Sequence, residues 1–393
     1  MRILLVNDYG EPIGGAEVMM LVLRDELRRR GHDTRLFTSS AHSTSAASVA
    51  DYLCFGTTSR FRTLLQTANP WAFWRLRCVL KEFRPDVVHV KMFLTQLSPL
   101  ILPLLRDVPA LYHVVWYRPV CPKGTKMLPD HSPCRVRAGA ACYRNGCLPT
   151  RDFLPLMLQM RMWRRWRKVF RRIVANSAAT KEQLTAGGIE GAEVMWNGVP
   201  VAPRRAPLSS IPTVVFAGRL VPEKGLDTLL RAFAQILPSV PGARLLVAGD
   251  GPERARIQEL VDELKLSTDV ALLGHLPAAE MDRHFAAAWV QAVPSRWSEP
   301  FGLTAVEAMM RGTAVVASDS GGLAEIVRDG ETGVLVSPDN VDALASALLR
   351  LLGDRDLAER MGMTGREVAL RHFSQTTFVD NCLRLYEEML STA

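Results

Sequence analysis

Lysine is scarce in this chain: the 48 basic residues include only eight lysines, and the other 40 are arginines. Long apolar runs are missing too. No stretch of 18 or more consecutive apolar residues occurs, so the sequence offers no membrane-spanning helix. The opening MRILLVNDYG has one arginine and an apolar run too short for a secretion signal, so a cytoplasmic enzyme is expected. Cysteine is modest at seven, and the spacing lacks the paired CxxC units of a zinc ribbon or finger.

What remains is ordinary for a soluble globular protein: 393 residues, 48% hydrophobic and 22% charged. That excludes a disordered or collagen-like chain, and the length accommodates two or three domains. The net charge of +8 matters only through where the cations sit, since a positive stripe would point to phosphates or an anionic membrane. The general excess of arginine over lysine is read as composition.

Short apolar runs alternate with amphipathic stretches, the pattern of parallel sheets covered by helices, and the predicted class is α/β. Strands are predicted at 3–7, 34–38, 86–90, 110–115, 173–176 and 193–196, then at 213–217, 244–248, 270–273, 290–293, 314–318 and 333–336. The Asn197-Gly198-Val199-Pro200 turn and the proline-rich 203–212 stretch divide the chain. Two domains follow, 1–198 and 199–374, with a helix in 375–393 that either ends the second domain or packs back on the first. Residues 40–68 read as loop with some helix. Residues 116–151 form a long Pro-, Gly-, Cys- and Arg-rich segment, and loops of that length are usually functional or disordered.

Three places suit phosphate chemistry. After the first strand, Gly14-Gly15-Ala16-Glu17 opens a helix, where unpaired N–H groups and the helix dipole favour an anion; the spacing is not GxGxxG, so no dinucleotide fingerprint is present. After strand 213–217 come Arg219 and Lys224, two cations at a strand's C-terminal end, where open α/β sheets bind ligands. A solvated loop with a chance basic pair is the plainer alternative. After strand 290–293, Glu299 precedes a helix that starts near Gly302, and Glu307 falls in its second turn. Such carboxylates accept hydrogen bonds from sugar hydroxyls, and the first N–H groups of the helix face an anion.

The EPFGLTAVEAM stretch that carries Glu299 and Glu307 resembles the signature of family 4 glycosyltransferases, retaining enzymes of the GT-B fold. GGAE at 14–17, NGV at 197–199, AGRLVPEKG at 217–225, AGDGP at 248–252 and SGGLAEIV at 320–327 agree in order, so the resemblance spans almost the whole chain. It implies two facing Rossmann-like domains with the active site between them, the first binding the acceptor and the second the nucleotide sugar. Arg219 and Lys224 would bind the donor diphosphate, with backbone N–H groups of the Gly14-Gly15 turn and of Phe301, Gly302, Leu303 and Thr304. Glu307 would hold ribose hydroxyls and Glu299 the transferred sugar. His113 resembles the family's active-site histidine, although Val114 stands where relatives often have Asp. The implied partners are a nucleotide-diphosphate sugar and a carbohydrate, lipid-linked or small-molecule acceptor, with no cofactor and no divalent metal. A sugar-nucleotide epimerase of the same fold and a catalytically silent nucleotide-sugar-binding protein on a membrane stand as alternatives.

Two segments are left over. Cys121, Cys134, Cys142 and Cys147 cluster in the long loop as free thiols, a disulfide pair or ligands of a structural metal. Residues 161–172, RMWRRWRKVFRR, carry seven cations, no acid and three aromatics. Met162, Trp166, Val169 and Ile173 would share one face of a helix there, which either lies on an anionic membrane or packs in the core. Nothing else in the chain supports nucleic-acid binding.

Overall fold

A computed structural model describes residues 1–42 and 49–391. In the first half the elements are β1 (Arg2–Tyr9), α1 (Gly15–Arg29), β2 (Asp33–Ser39), β3 (Tyr52–Cys54), α2 (Arg62–Thr67), α3 (Pro70–Phe83), β4 (Val87–Val90), β5 (Ala110–Val114), α4 (Ala141–Arg144), α5 (Thr150–Trp166), β6 (Arg172–Ala175), α6 (Ala178–Ala186) and β7 (Glu193–Val194). There follow β8 (Thr213–Ala217), α7 (Leu226–Ile236), β9 (Arg244–Ala248), α8 (Arg254–Glu263), β10 (Val270–Gly274), α9 (Ala278–Phe285), β11 (Val290–Val293), α10 (Leu303–Arg311), β12 (Ala314–Ser318), α11 (Leu323–Ile326), β13 (Gly333–Val336), α12 (Val341–Gly353), α13 (Arg355–His372) and α14 (Gln375–Ser391).

These elements form two compact units, Met1–Gly198 with Gln375–Ala393, and Val199–Ser374. Each holds one sheet with parallel pairings throughout, ordered β3-β2-β1-β4-β5-β6-β7 in the first and β10-β9-β8-β11-β12-β13 in the second. In both, the chain starts mid-sheet, winds outward, then returns past its first strand. The strand order therefore reverses between β1 and β4, and between β8 and β11, and ligands bind at such reversals in open α/β sheets.

Burial explains the strands. Ile3, Leu4, Leu5 and Val6 are all wholly buried, as are Ala314 to Ala317, because helices cover both faces and no alternation with polar residues is needed. In the second unit α7 buries Leu226, Leu229, Leu230, Phe233 and Ile236 at helical spacing and packs on α12. Helix α14 belongs to the first unit. It buries Phe378, Val379, Cys382, Leu385, Tyr386 and Met389 there, and the Tyr386 hydroxyl lies 2.6 Å from Nδ1 of His89.

Two expectations change. Of residues 40–68, 43–48 lie outside the described residues, and the rest holds β3 as well as α2. A three-residue strand is too short to show a period. The basic segment 161–172 is not one helix: α5 stops at Trp166, Arg167–Val169 make a 3₁₀ turn, and β6 begins at Arg172. Pairing with β5 overrides helix propensity, as the Arg171 N–H donating to the Ala110 carbonyl at 2.9 Å illustrates. The buried face of α5 is also a different one, Leu156, Gln159, Met160 and Trp163. Trp163 lies wholly inside, its indole donating to the Pro119 carbonyl at 2.9 Å and its ring 5.3 Å from that of Tyr112. None of the seven cysteines is in a disulfide. Among the described residues, no three His, Cys, Asp or Glu side chains are grouped as metal ligands, and no helix is long and apolar enough to cross a membrane.

Candidate active site

In the second unit Lys224 and Glu299 meet at the reversal between β8 and β11. The loop after β8 supplies Arg219 and Lys224, and the loop after β11 supplies Glu299. Lys224 Nζ lies 2.5 Å from Glu299 Oε1, and the same oxygen accepts a hydrogen bond from Ser295 Oγ at 2.6 Å. Glu299 is buried, and burial alone would raise its pKa. The charge of Lys224 and hydrogen bonds from Lys224 and Ser295 outweigh that and hold it below the usual value, so the carboxylate is ionised. The Lys224 ammonium also sits 5.6 Å from the centre of the Trp297 ring. Arg219, five residues earlier on the loop, is exposed.

Two devices fix the lysine loop. Arg296 donates from Nη2 to Asp227 at 2.8 Å and Thr228 at 3.0 Å, and from Nε to Asp339 at 2.8 Å. Its backbone N–H meets the Glu223 carbonyl at 2.9 Å, so one guanidinium and one amide tie the two loops together. Gly225 has φ +65°, and a Cβ there would stand 2.1 Å from the Pro294 carbonyl oxygen, so the close approach requires glycine.

Helix α10 starts beside this pair with no side-chain cap on its N-terminus. That leaves its first-turn N–H groups without a side-chain acceptor, the condition for an anion site. Phe301 turns its ring into the core, 6.0 Å from that of Phe373, so only its backbone is available. Glu307 is half-buried in the second turn. Burial raises its pKa, with Arg311 acting against the rise and Asp282 adding to it. The sheet orients this helix, since Gln291 of β11 donates to the Thr304 carbonyl at 2.7 Å and accepts from Arg311 at 2.7 Å.

The remaining expected residues belong to the first unit. Gly14 precedes α1 in extended backbone, with no side-chain cap. Gly15 begins the helix, and Glu17 in its first turn is buried, its carboxyl pushed up to about 7 by burial, against the pull of Lys91. Buried Asp8, at the end of β1, accepts the backbone N–H groups of Thr95, Gln96 and Leu97 within 2.9 Å, which ties the loop after β4 to β1. His113 is wholly buried in β5, its ring 5.5 Å from that of His89 and 5.8 Å from that of Phe378. A strand side chain points to a sheet face, and α14 covers this one.

Ser295, Arg296 and Trp297 lie in the motif stretch, but the sequence assigns them no role. Their signal was position alone, since all three sit between a strand end and the first glutamate of the motif.

Residues 13–202 match the family described as Glycosyltransferase Family 4, and residues 206–368 match Glycosyl transferases group 1. An exopolysaccharide phosphotransferase of Streptomyces coelicolor is 40% identical over 46% of this chain and 19% of its own length. A GDP-mannose-dependent alpha-(1-6)-phosphatidylinositol monomannoside mannosyltransferase of Mycolicibacterium smegmatis is 38% identical over 43% of this chain and 46% of its own. The chain thus spans less than half the length of these relatives. Sucrose-phosphate synthase from Thermosynechococcus elongatus superposes with a TM-score of 0.77 at 24% identity over 100% of both chains, a likeness of fold. With its two parallel-sheet, Rossmann-like units of the GT-B class matched in succession, this chain belongs to the glycosyl transferases group 1 of glycosyltransferase family 4.

Proposed function

We propose that this protein is a retaining glycosyltransferase that moves a hexosyl-type sugar from a nucleoside-diphosphate sugar to a hydroxyl of a carbohydrate, lipid-linked or small-molecule acceptor. The observation that carries the reading is the Lys224–Glu299 pair at the β8/β11 reversal, next to the uncapped start of α10. The activity named for the GDP-mannose-dependent relative supports a nucleotide-sugar donor.

As the bond from the anomeric carbon to the β-phosphate oxygen breaks, negative charge grows on the diphosphate and positive charge on the sugar ring. Lys224 and Arg219 neutralise the first, with the N–H groups of Leu303 and Thr304. Preorganised charge of this kind is usually the largest catalytic contribution. Ionised Glu299 accepts a hydrogen bond from a hydroxyl of the transferred sugar, and Glu307 accepts those of the ribose. The acceptor hydroxyl attacks on the face the leaving group departs from and gives its proton to a departing phosphate oxygen, so that no nucleophilic carboxylate is needed. With two protein cations at the diphosphate, the reaction proceeds without a divalent metal.

The test is a panel of UDP-, GDP-, ADP- and dTDP-sugars scored for acceptor-dependent nucleotide release, with the anomeric configuration of the product read by NMR. Release of nucleotide without any acceptor, with an epimerised sugar as product, overturns the transferase reading. An inverted product overturns retention.

A further inference from the structure

Between β3 and β4 the first unit presents a face that its own packing does not use. Residues 55–81 carry Arg60, Arg62, Arg75, Arg77 and Lys81, all exposed, and not one Asp or Glu. Helix α3 buries Ala72, Leu76, Val79 and Phe83 on one stripe. Trp71 and Trp74 stand off that stripe, 55% and 60% exposed. Phe61 and Leu64 join them at 58% and 61%, and a groove of about 360 Å³ runs between Phe55, Phe61, Leu64 and Trp71. Helix α5 packs on α2 and brings two further exposed leucines, Leu154 and Leu158.

Charge and apolar surface are interleaved. The Arg60 guanidinium lies 5.0 Å from the centre of the Phe61 ring, and that of Arg77 lies 5.4 Å from the centre of the Trp74 ring. Large aromatics left in water are costly, and a patch of them usually marks an interaction surface. Tryptophan with its polar N–H suits the boundary between water and lipid, and arginines around it suit anionic headgroups, each adding about fivefold in affinity. A second copy is a poor occupant, because a two-fold contact sets the same five cations against themselves.

We propose that this face seats the protein on an anionic phospholipid surface, with Phe61, Leu64, Trp71 and Trp74 in the headgroup layer and Arg60, Arg62, Arg75 and Arg77 on lipid phosphates. The contact stands apart from the transfer chemistry, and it lies in 55–81 rather than in the broken basic segment 161–172.

The test is co-sedimentation of the full chain with vesicles of phosphatidylcholine alone or with about 30% phosphatidylglycerol, at low and high salt. The parent pellets with the anionic vesicles at least tenfold more strongly than with the neutral ones, and the difference shrinks at high salt. Trp71→Ser/Trp74→Ser, with an unchanged circular-dichroism spectrum and unchanged nucleotide release towards a soluble acceptor, loses about tenfold in binding. Arg165→Gln/Lys168→Gln binds like the parent. The proposal is overturned if the parent ignores anionic vesicles at low salt, if the folded tryptophan variant binds undiminished, or if the parent is a dimer that this variant makes monomeric.

Discussion

Lys224 and Glu299 come from different strands, one from the loop after β8 and the other from the loop after β11, yet their charged ends meet at 2.5 Å. The pair holds a buried carboxylate ionised and keeps an ammonium at the sheet's switch point before any ligand arrives.

Lys224→Ala therefore acts on the chemical step. Removing one preorganised cation from a developing diphosphate costs about 10²–10³ in kcat. The fold survives, because Ser295 still hydrogen-bonds the glutamate. Steady-state kinetics with saturating donor check the size of the loss, and a fully active Lys224→Ala enzyme removes the lysine from the mechanism. On the proposed donor geometry, Glu307→Ala leaves the ribose hydroxyls unmatched and lowers kcat/KM for the donor by about 10–100-fold, read from initial rates at low donor concentration.

Arg296→Met tests positioning rather than chemistry. The guanidinium bridges Asp227, Thr228 and Asp339 and touches no part of the expected donor site. Its loss frees the segment that carries Lys224, so kcat falls about tenfold while the melting temperature drops only slightly. Arg296→Lys does not restore the rate, because one ammonium cannot span three partners. Equal activity of parent and Arg296→Met shows the clamp to be dispensable.

Gly225→Ala places a methyl group against the Pro294 carbonyl in left-handed backbone. The expected loss is about 2–4 kcal/mol, seen as a melting temperature lower by roughly 5–10 °C. An alanine variant that melts with the parent contradicts the close approach.

His113→Phe separates a structural histidine from a catalytic one. Burial first, then the nearby Lys91 and His89, push its pKa well below 6.5, so it stays neutral when folded. Unfolded, it takes up a proton as the pH falls below 6.5, and the folded state loses stability in that range. His89 behaves alike, held to about 3, whereas Glu17, raised to about 7, gains stability as the pH falls from about 7 towards 4.5. Only the difference between variant and parent isolates His113. Its removal lowers the acid slope by about 1.4 kcal/mol per pH unit between roughly pH 6 and 4, measured by denaturant titrations. Transfer activity is retained; its loss by more than about a hundredfold in a folded His113→Phe enzyme places the residue in the site.

Strand positions were the most legible part of the chain, because buried parallel strands read as apolar runs with definite ends. Thr213–Ala217, Arg244–Ala248, Val290–Val293, Ala314–Ser318 and Gly333–Val336 lie where the sequence puts them. β3 escaped, since three residues carry no period. The reach of α5 was misjudged, because the competition at Phe170–Arg172 was decided by strand pairing with residues 60 positions away. In the site, the charges of Lys224, Glu299 and Glu307 were visible, but the Arg296 clamp acts through partners remote in sequence, and no pattern aims Ser295 at Glu299 four residues on. That His113 is covered was not legible, because helix α14, far later in the chain, could not be placed over it from sequence.

Val199 and the far end of its unit lie side by side: the Val199 N–H donates to the Phe373 carbonyl at 2.8 Å, and Val199 pairs with Ser374. Topologically the second unit is thus an insert whose entry and exit share one doorway, while both chain termini stay in the first. Residues 199–374 can be excised as a fragment, and Gly198 rejoined to Gln375 through a short linker, without cutting any strand of either sheet. The same doorway lets the whole second unit be exchanged with two cuts, both made at one place in the fold.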